Sequence, residues 1–201
     1  MESTTKTPAG GAAEITSFTY DRNGNQLTQT TGGQTETQTY NAFNQLIAFT
    51  KPDMSIAYRY RADGLRHSKT VNSVTTTYVW SGDNIVLKRD HYGGVTHRFY
   101  RSHRGELIAC FHNGFYSFNA RGDVVHRTDR HGNVIKSYRY DAFGNEMNPS
   151  DDNSNLFRFA GEYYDVETGT IYLRARNYNP RIGRFTQPDP HWNVNNMIFW
   201  G

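Results

Sequence analysis

The sequence predicts an all-β protein built from tandem hairpins, with little or no helix. Three observations predict it. One short phrase recurs along the chain, the residues before each recurrence alternate with period two, and one position of the phrase is almost always Gly or Asn. No stretch shows the apolar spacing at three and four that indicates an amphipathic helix. Self-similarity at a short, nearly fixed step is typical of a repeat array.

The phrase opens on an aromatic residue and reaches a turn residue four places later. Its seven opening residues are Tyr20, Tyr40, Tyr60, Trp80, Tyr100, Phe118 and Tyr140. In six copies the fourth residue on is Gly or Asn, namely Gly24, Asn44, Gly64, Asn84, Gly122 and Gly144. The Tyr100 copy carries Gly105 one place late, and Thr128 opens a degenerate extra copy. This regularity favours an array over the alternative, a β-sandwich whose hairpins happen to be evenly spaced.

The Gly/Asn position predicts a left-handed turn. Gly adopts positive φ without steric cost, and Asn tolerates it better than most residues do. In several copies an Asp or Asn follows the aromatic residue, as at Asp21, Asn41 and Asp141, and such side chains hydrogen-bond to the turn backbone. We therefore expect each phrase to reverse the chain.

The residues before each turn predict a half-buried strand. Tyr58-Arg59-Tyr60 and Tyr138-Arg139-Tyr140 alternate aromatic and polar side chains, which places the rings on one face. With strands of about 5–6 residues, one repeat holds about two strands and their turns. A single unit buries too little apolar surface to offset the backbone entropy it loses, so neighbouring units must cover it.

Composition narrows the classes of function. The chain is 14% aromatic, carries 18 Gly and has a formal charge of +3. Its basic residues are interspersed with acidic ones and form no single stripe, so nucleic acid is not an expected partner of this segment. Eight scattered His and no Cys at ligand spacing give no zinc pattern, and we expect neither a metal nor a cofactor. The single Cys110 lies in an apolar run and is expected to be a buried thiol.

The two ends suggest a piece of a longer protein. Residues 1–14, rich in Thr, Gly and Ala, are expected to be a disordered lead-in. The start lacks the charged region and apolar core of a signal peptide, and no apolar run is long enough for a membrane span. The repeats would occupy residues 15–147, and a segment with a different sequence pattern would occupy residues 148–201.

That last part of the chain predicts further hairpins. Residues 158–165 read RFAGEYYD, residues 167–180 read ETGTIYLRARNYNP and residues 183–190 read GRFTQPDP. Glu167-Thr168-Gly169 predicts one hairpin turn, and residues 179–183 predict a second. Following the repeats, this text closely resembles the Rhs-associated core of the Rhs/YD-repeat family, and the resemblance covers about residues 15–200.

The resemblance implies that the hairpins form a spiralling β-sheet, part of a hollow shell. In this family the shell encloses a variable C-terminal toxin, and the core plugs it. Members include bacterial polymorphic toxins, wall-associated proteins and a component of insecticidal toxin complexes, and teneurins carry related repeats. The implied function is structural. The implied partners are the remainder of the shell, a toxin domain that would begin beyond residue 201, and an immunity protein. The parent would be secreted or associated with the cell surface or cell wall.

The resemblance also implies a self-cleavage site. In many members the core is an aspartyl self-protease, and its Arg and first Asp match Arg176 and Asp189 here. The second Asp, in a later Asp-Pro-x-Gly motif, has no counterpart in this sequence, and one carboxylate cannot serve as both acid and base. We therefore expect no enzyme. The structural alternatives are an ion pair of Arg176 with a carboxylate such as Asp165, and Asp189-Pro190 as a turn opener.

Carbohydrate binding is the alternative function of a different class. Tyrosine rings on an exposed sheet face could stack on sugars, and the resemblance extends to a role in binding cell-surface glycans. Rings at period two more often face the packed side of a sheet. The exposure of the tyrosines distinguishes the two.

Overall fold

The computed structural model describes residues 2–6, 14–149 and 154–190. Fourteen strands form one antiparallel sheet, the wall sheet, in which neighbours in sequence are neighbours in the sheet. They are β1 (Glu2–Lys6), β2 (Glu14–Tyr20), β3 (Gln26–Thr31), β4 (Gln34–Tyr40), β5 (Leu46–Lys51), β6 (Met54–Tyr60), β7 (Arg66–Val71), β8 (Val74–Ser81), β9 (Asn84–Arg89), β10 (Val95–Arg101), β11 (Leu107–Cys110), β12 (Gly114–Phe118), β13 (Val124–Thr128) and β14 (Val134–Ser137).

Four more strands form the inner sheet, which belongs to the inner segment (residues 154–190). They are β15 (Tyr163–Asp165), β16 (Thr170–Leu173), β17 (Arg176–Asn179) and β18 (Arg184–Phe185). The all-β prediction is confirmed, because the helical structure in the described ranges is one 3-10 turn at Phe159–Gly161. No helix in these ranges has the length and hydropathy of a membrane span.

A recurrent five-residue turn joins many of the wall strands. In its first copy the Asp21 N–H donates to the Asn25 carbonyl (2.9 Å), and the Gly24 N–H donates to the Asp21 carbonyl (3.1 Å). The Asp21 carboxylate accepts from the N–H groups of Asn23 (2.9 Å) and Asn25 (2.8 Å). The same backbone pair recurs at residues 41–45, 61–65, 90–94, 102–106, 119–123, 129–133 and 141–145. The turn thus satisfies backbone groups that a chain reversal would leave unpaired.

The predicted left-handed position is confirmed in five of the six copies. Gly24, Asn44, Gly64, Gly122 and Gly144 have φ of 87°, 57°, 83°, 85° and 93°. The displaced Gly105 also takes positive φ, at 85°.

At Asn84 the prediction is wrong. Asn84 pairs with Ser81 and begins β9, which leaves a two-residue loop between β8 and β9. The left-handed residue of that loop is Gly82, with φ of 55°. Because loop length selects the turn type, the shorter hairpin places its positive φ two residues earlier. The turn at 90–94 was not predicted, since Arg89 rather than an aromatic residue precedes it.

The prediction of a disordered lead-in over 1–14 is wrong for residues 2–6. These form β1, which pairs with β2 from Glu2↔Phe18 to Lys6↔Glu14. The Thr residues in β1 are β-branched and favour strands, and the edge of β2 offers them hydrogen-bond partners. Residues 7–13 lie outside the described ranges.

Both predicted hairpin turns of the inner segment are confirmed. Asp165 pairs with Thr170 across the first, and Asn179 pairs with Arg184 across the second. Gly169 and Gly183 supply positive φ at these turns, at 70° and 65°.

The wall sheet curls around the inner segment. Asn179 donates from Nδ2 to Oε1 of Gln29 in β3 (3.3 Å). The carbonyl of the next residue, Pro180, accepts from Asn145, in the turn beyond β14 (2.8 Å). In a flat sheet β3 and β14 would stand about 50 Å apart, at about 4.8 Å per strand. Both ends can reach adjacent residues only if the sheet bends back on itself, which is the curvature that the resemblance implied.

The concave face of the wall sheet and the inner segment share the main apolar core. Its buried members are Tyr78, Ile85, Phe99, Leu107, Cys110, Tyr116, Val124, Tyr138, Leu156, Phe157, Tyr163 and Tyr172. Rings meet edge to face across the boundary, with centroids 4.9 Å apart for Phe99 and Phe157. A smaller cluster of Leu46, Phe49, Ile56 and Tyr58 lies on β5 and β6.

Candidate functional site: the Arg176–Asp189 pair and the Arg66 cluster

The structure brings the two predicted site residues together. Arg176 begins β17, and Asp189 follows β18. Nη2 of Arg176 lies 3.3 Å from Oδ2 of Asp189, and the guanidinium carbon lies 3.7 Å from the ring centroid of Phe185. The side chains of the pair are 25% and 46% exposed, so the carboxylate is open to water. The alternative pairing of Arg176 with Asp165 is wrong.

Cross-strand hydrogen bonds fix the backbone on both sides of this pair. The Asn177 N–H donates to Oε1 of Gln187 (2.7 Å), and the Thr186 N–H donates to the Asn177 carbonyl (2.8 Å). The Thr186 hydroxyl also lies 2.9 Å from Oε1 of Gln187 and donates to it. Asn177 follows Arg176 directly, and Gln187 precedes Asp189 by two residues. The pair is therefore held by a buried network rather than by its own contact.

Asp165 instead accepts from two cations of β7. Nη1 of Arg66 lies 2.9 Å from Oδ1 and 2.6 Å from Oδ2 of Asp165, and Nζ of Lys69 lies 2.9 Å from Oδ1. Lys69 also reaches Oε2 of Glu167 at 2.6 Å. The side chains of Arg66 and Asp165 are each 1% exposed. These four residues form the Arg66 cluster, which balances two positive and two negative charges inside the protein.

Proximity to opposite charge decides the protonation of this cluster. Burial alone would raise the pKa of Asp165, but Arg66 and then Lys69 outweigh it, so the pKa lies below its ordinary value. Burial alone would lower the pKa of Lys69, but Asp165 outweighs it, so the pKa is raised. Both groups stay charged at neutral pH, because the opposite charge of the partner stabilises each charge in place of the water lost on burial.

The Arg66 cluster extends to the predicted site. Nη2 of Arg66 donates to Oδ1 of Asn177, the neighbour of Arg176 (3.3 Å). The guanidinium also lies over the rings of Tyr172 (3.9 Å) and Tyr58 (4.6 Å). Sequence reasoning missed Arg66 and Lys69. The available signal was a pair of cations in one strand. Their carboxylate partner, Asp165, is assigned on sequence to an ion pair with Arg176 instead.

A single ion-paired carboxylate sets the chemistry available to Arg176 and Asp189. Aspartyl hydrolysis divides the roles of base and acid between two carboxylates that share a proton. Asp189 can supply one of them, with Arg176 to orient it. The later Asp-Pro-x-Gly motif that supplies the other in the resembling family does not occur in the sequence.

The histidines and the cysteine are the remaining candidate residues for metal or thiol chemistry. No group of three or more His, Cys, Asp or Glu side chains converges in the described part of the chain. Cys110 is buried, and burial raises the pKa of its thiol, which disfavours the nucleophilic thiolate. His97 is half-buried, and burial, with Lys88 and His112, lowers its pKa to about 4. It is therefore neutral at physiological pH.

Most tyrosines are buried or half-buried, as predicted. Tyr58, Tyr78 and Tyr163 are 4%, 3% and 2% exposed. Tyr92 and Tyr100 are exposed, at 86% and 46%. Tyr92 belongs to the turn at 90–94 and Tyr100 to β10, so they do not continue one row along a strand.

Comparison with known proteins agrees with this architecture. A profile described as Teneurin YD-shell matches residues 89–198. The chain is 40% identical over 185 residues to the tRNA nuclease WapA of Bacillus subtilis, covering 87% of this chain and 8% of that protein. The tRNA3(Ser)-specific nuclease WapA of Bacillus spizizenii gives the same identity and coverage. The chain thus spans about 8% of the length of these curated relatives.

Solved structures share the fold. The crystal structure of TcdB2-TccC3-Cdc42 has a TM-score of 0.60 and 15% identity, and the match covers 91% of this chain and 12% of that one. The Photorhabdus luminescens Tc holotoxin pore has a TM-score of 0.56 and 17% identity, with 89% and 12% covered. Since the matching profile spans over half of the chain and includes both repeats and inner segment, this protein belongs to the Teneurin YD-shell family of Rhs/YD-repeat shell proteins.

Proposed function

We propose that this chain is a segment of a shell that encloses a toxin domain, with the inner segment as the plug. The curl of the wall sheet is the main support for the proposal, because a sheet that bends around the inner segment has the curvature of a shell wall. The edge strand β1 has one neighbour in the sheet, so its outer hydrogen-bonding groups could pair with further repeats of a longer polypeptide.

The names of the curated relatives support a toxin as the enclosed domain. Both are tRNA nucleases, and this chain aligns with 8% of their length. We assign the nuclease-type activity to another part of such a parent, downstream of the segment. An immunity protein would bind that toxin domain rather than the wall sheet. The parent would be secreted or held at the cell surface or cell wall.

Removal of the segment from a full-length parent tests this function. In Bacillus subtilis WapA, deletion of the region that aligns with this chain should leave the nuclease part sensitive to added protease, whereas the intact protein should protect it. Deletion of an equally long stretch of repeats elsewhere is the control for general damage. Equal protease sensitivity of the nuclease in the intact and deleted proteins would refute the shell role.

The Arg176–Asp189 pair supports a second role, as half of a self-cleavage site. Its ion pair places a water-accessible carboxylate next to a cation, on a backbone fixed by Asn177 and Gln187. In a polypeptide extended through a second Asp-Pro motif, we expect a discrete internal cut that Asp189→Asn abolishes and Arg176→Gln slows. Asp63→Asn, on an exposed wall turn, should leave the cut unchanged. Intact mass spectrometry reads the outcome, and cutting by the Asp189→Asn variant would exclude the role.

A further inference from the structure

The contacts that hold the inner segment to the wall sheet differ along the sheet. On the side of β8–β13 they include contacts between rings, such as Tyr78 with Tyr163 (5.5 Å), beside hydrogen bonds such as that from the Val124 N–H to the Arg158 carbonyl (3.0 Å). On the side of β2–β4 (residues 14–40, here called the flap) they are hydrogen bonds. The Gln26 N–H donates to the Thr186 carbonyl (2.9 Å). The Tyr40 hydroxyl donates to Oε1 of Gln38 (2.5 Å), and its oxygen lies 3.3 Å from the same Thr186 carbonyl oxygen.

The concave face of the flap is polar where later strands are apolar. Gln26, Gln29 and Gln38 are 1%, 7% and 6% exposed there. Within the described ranges, the flap contributes to the two apolar clusters only through Tyr40, at the margin of the smaller one. Phe18, at 1% exposure, is its buried aromatic side chain. Water can replace an amide hydrogen bond but cannot replace ring burial, so the flap is the side that separates more easily.

Two buried polar atoms also favour separation. Oδ1 of Asn25 and Nε2 of Gln26 have no hydrogen-bond partner, and both residues are 1% exposed. A buried polar atom without a partner destabilises the closed state by its desolvation penalty. Opening the flap would hydrate both atoms and remove that penalty.

The Arg66 cluster keeps the inner segment on the other side of this boundary. Arg66 and Lys69 of β7 bind Asp165 and Glu167 in the buried cluster described above. Breaking it would expose four charges together, whereas opening the flap leaves it intact. Lys51 of β5 also donates to the Glu167 carbonyl (2.9 Å), so the anchored part of the wall sheet begins at β5.

We propose that the flap opens as a unit from residues 179–188, while β5–β14 and the inner segment stay together. The boundary between the flap and residues 179–188 is here called the seam. It lies where the chain leaves the inner sheet, since Cβ of Pro188 lies 4.0 Å from the position that a Cβ on Gly24 would occupy. This goes beyond the shell function, because it is a property of the isolated chain.

Native-state hydrogen exchange of the isolated protein tests the flap. The Gln26 amide should exchange at least about tenfold faster than those of Val124 and Tyr164, which donate to the carbonyls of Arg158 and Leu156 on the anchored side. Its rate should also depend less on urea, since opening the flap exposes less surface than global unfolding does. Equal rates and equal urea dependence at the three amides would show one cooperative unit and overturn the proposal.

A pair of variants sharpens the test. Gln26→Met removes the unpartnered amide at the seam and should slow exchange at position 26 about tenfold, with no comparable change at Val124. Tyr140→Phe removes a buried, unpartnered hydroxyl on the anchored side and should leave exchange at Gln26 unchanged. A Gln26→Met variant that slows both sides equally would also overturn the flap. If that variant does not fold, the wild-type comparison decides alone.

Discussion

Arg66 shows how one side chain joins the wall sheet to the inner segment. Its Nη1 donates to both carboxylate oxygens of Asp165, and the guanidinium lies against the rings of Tyr172 and Tyr58. Guanidinium remains charged even when buried, so a buried carboxylate is required beside it. The Asn177 contact then transmits this anchoring to the strand that carries Arg176.

Removal of the central carboxylate tests the Arg66 cluster. Asp165→Asn leaves two buried cations with one partly exposed anion and should lower the free energy of unfolding by about 3–5 kcal/mol. Asp63→Asn is the matched control, because its ion pair with Arg61 is exposed and should contribute less than about 1 kcal/mol. Urea unfolding measures both. Equal effects of the two substitutions would mean that the cluster does not anchor the inner segment.

His97 predicts a loss of stability in weak acid. Because burial above all lowers its pKa to about 4 from 6.5, the unfolded chain binds a proton in this window that the folded protein does not. Stability therefore falls as pH drops from about 6.5 towards about 4, by roughly 1–2 kcal/mol after allowance for partial exposure. Asp165 loses its contribution only at lower pH, since its pKa lies below 3.8.

Replacement of His97 isolates this effect. His97→Gln should flatten the dependence of the melting temperature on pH in that window, and His103→Gln, on an exposed turn, should not. An unchanged pH profile in His97→Gln would assign the acid sensitivity to other groups.

At the scale of the element, the five-residue turn explains why Gly and Asn alternate at one position. Gly relieves the backbone, whereas Asn44 adds a contact between turns. Its Oδ1 accepts from the side-chain amides of Asn23 (3.1 Å) and Asn25 (2.9 Å) of the preceding copy. Neighbouring turns are thereby tied together along the rim of the wall sheet.

Alanine substitutions at two glycines distinguish the cost of backbone strain from the cost of steric crowding. Gly93 has φ of 87° with nothing within 4 Å of an added Cβ, so Gly93→Ala should cost about 1–2 kcal/mol of strain alone. Gly114 has φ of 78°, and its Cβ would stand 2.2 Å from the Thr128 carbonyl oxygen. Gly114→Ala forces β12 and β13 apart and should cost more than about 3 kcal/mol. Thermal unfolding ranks the two, and a smaller loss for Gly114→Ala would contradict the register.

Local chemistry made the turns and strands predictable from sequence. Positive φ at Gly24 and period-two rings before it are properties of a few neighbouring residues. The prediction for Asn84 was wrong because its loop has two residues rather than five, which the spacing of the phrase alone does not reveal. The Arg66–Asp165 contact joins residues far apart in the chain, and nothing local to either residue specifies the partner.

The whole molecule depends on the curl, because it brings both ends of the wall sheet to one inner segment. Residues 179–188 touch Gln29 and Gly24 near the start of the sheet, and Asn145 beyond its last strand. The apolar core, the Arg66 cluster and the seam all lie inside this curve. A flat sheet would leave each of them open to water.

The distance between the first and last turns of the array tests the curl directly. Arg22 and Ala142 are exposed at matching places in the turns 21–25 and 141–145, and Cys110→Ala gives a background for spin labels at both. Their turns meet Pro188 and Gly183, and five residues span at most about 18 Å. The curled wall sheet predicts a separation below roughly 30 Å by pulsed electron spin resonance, whereas about 50 Å or more, the flat-sheet spacing, would contradict it.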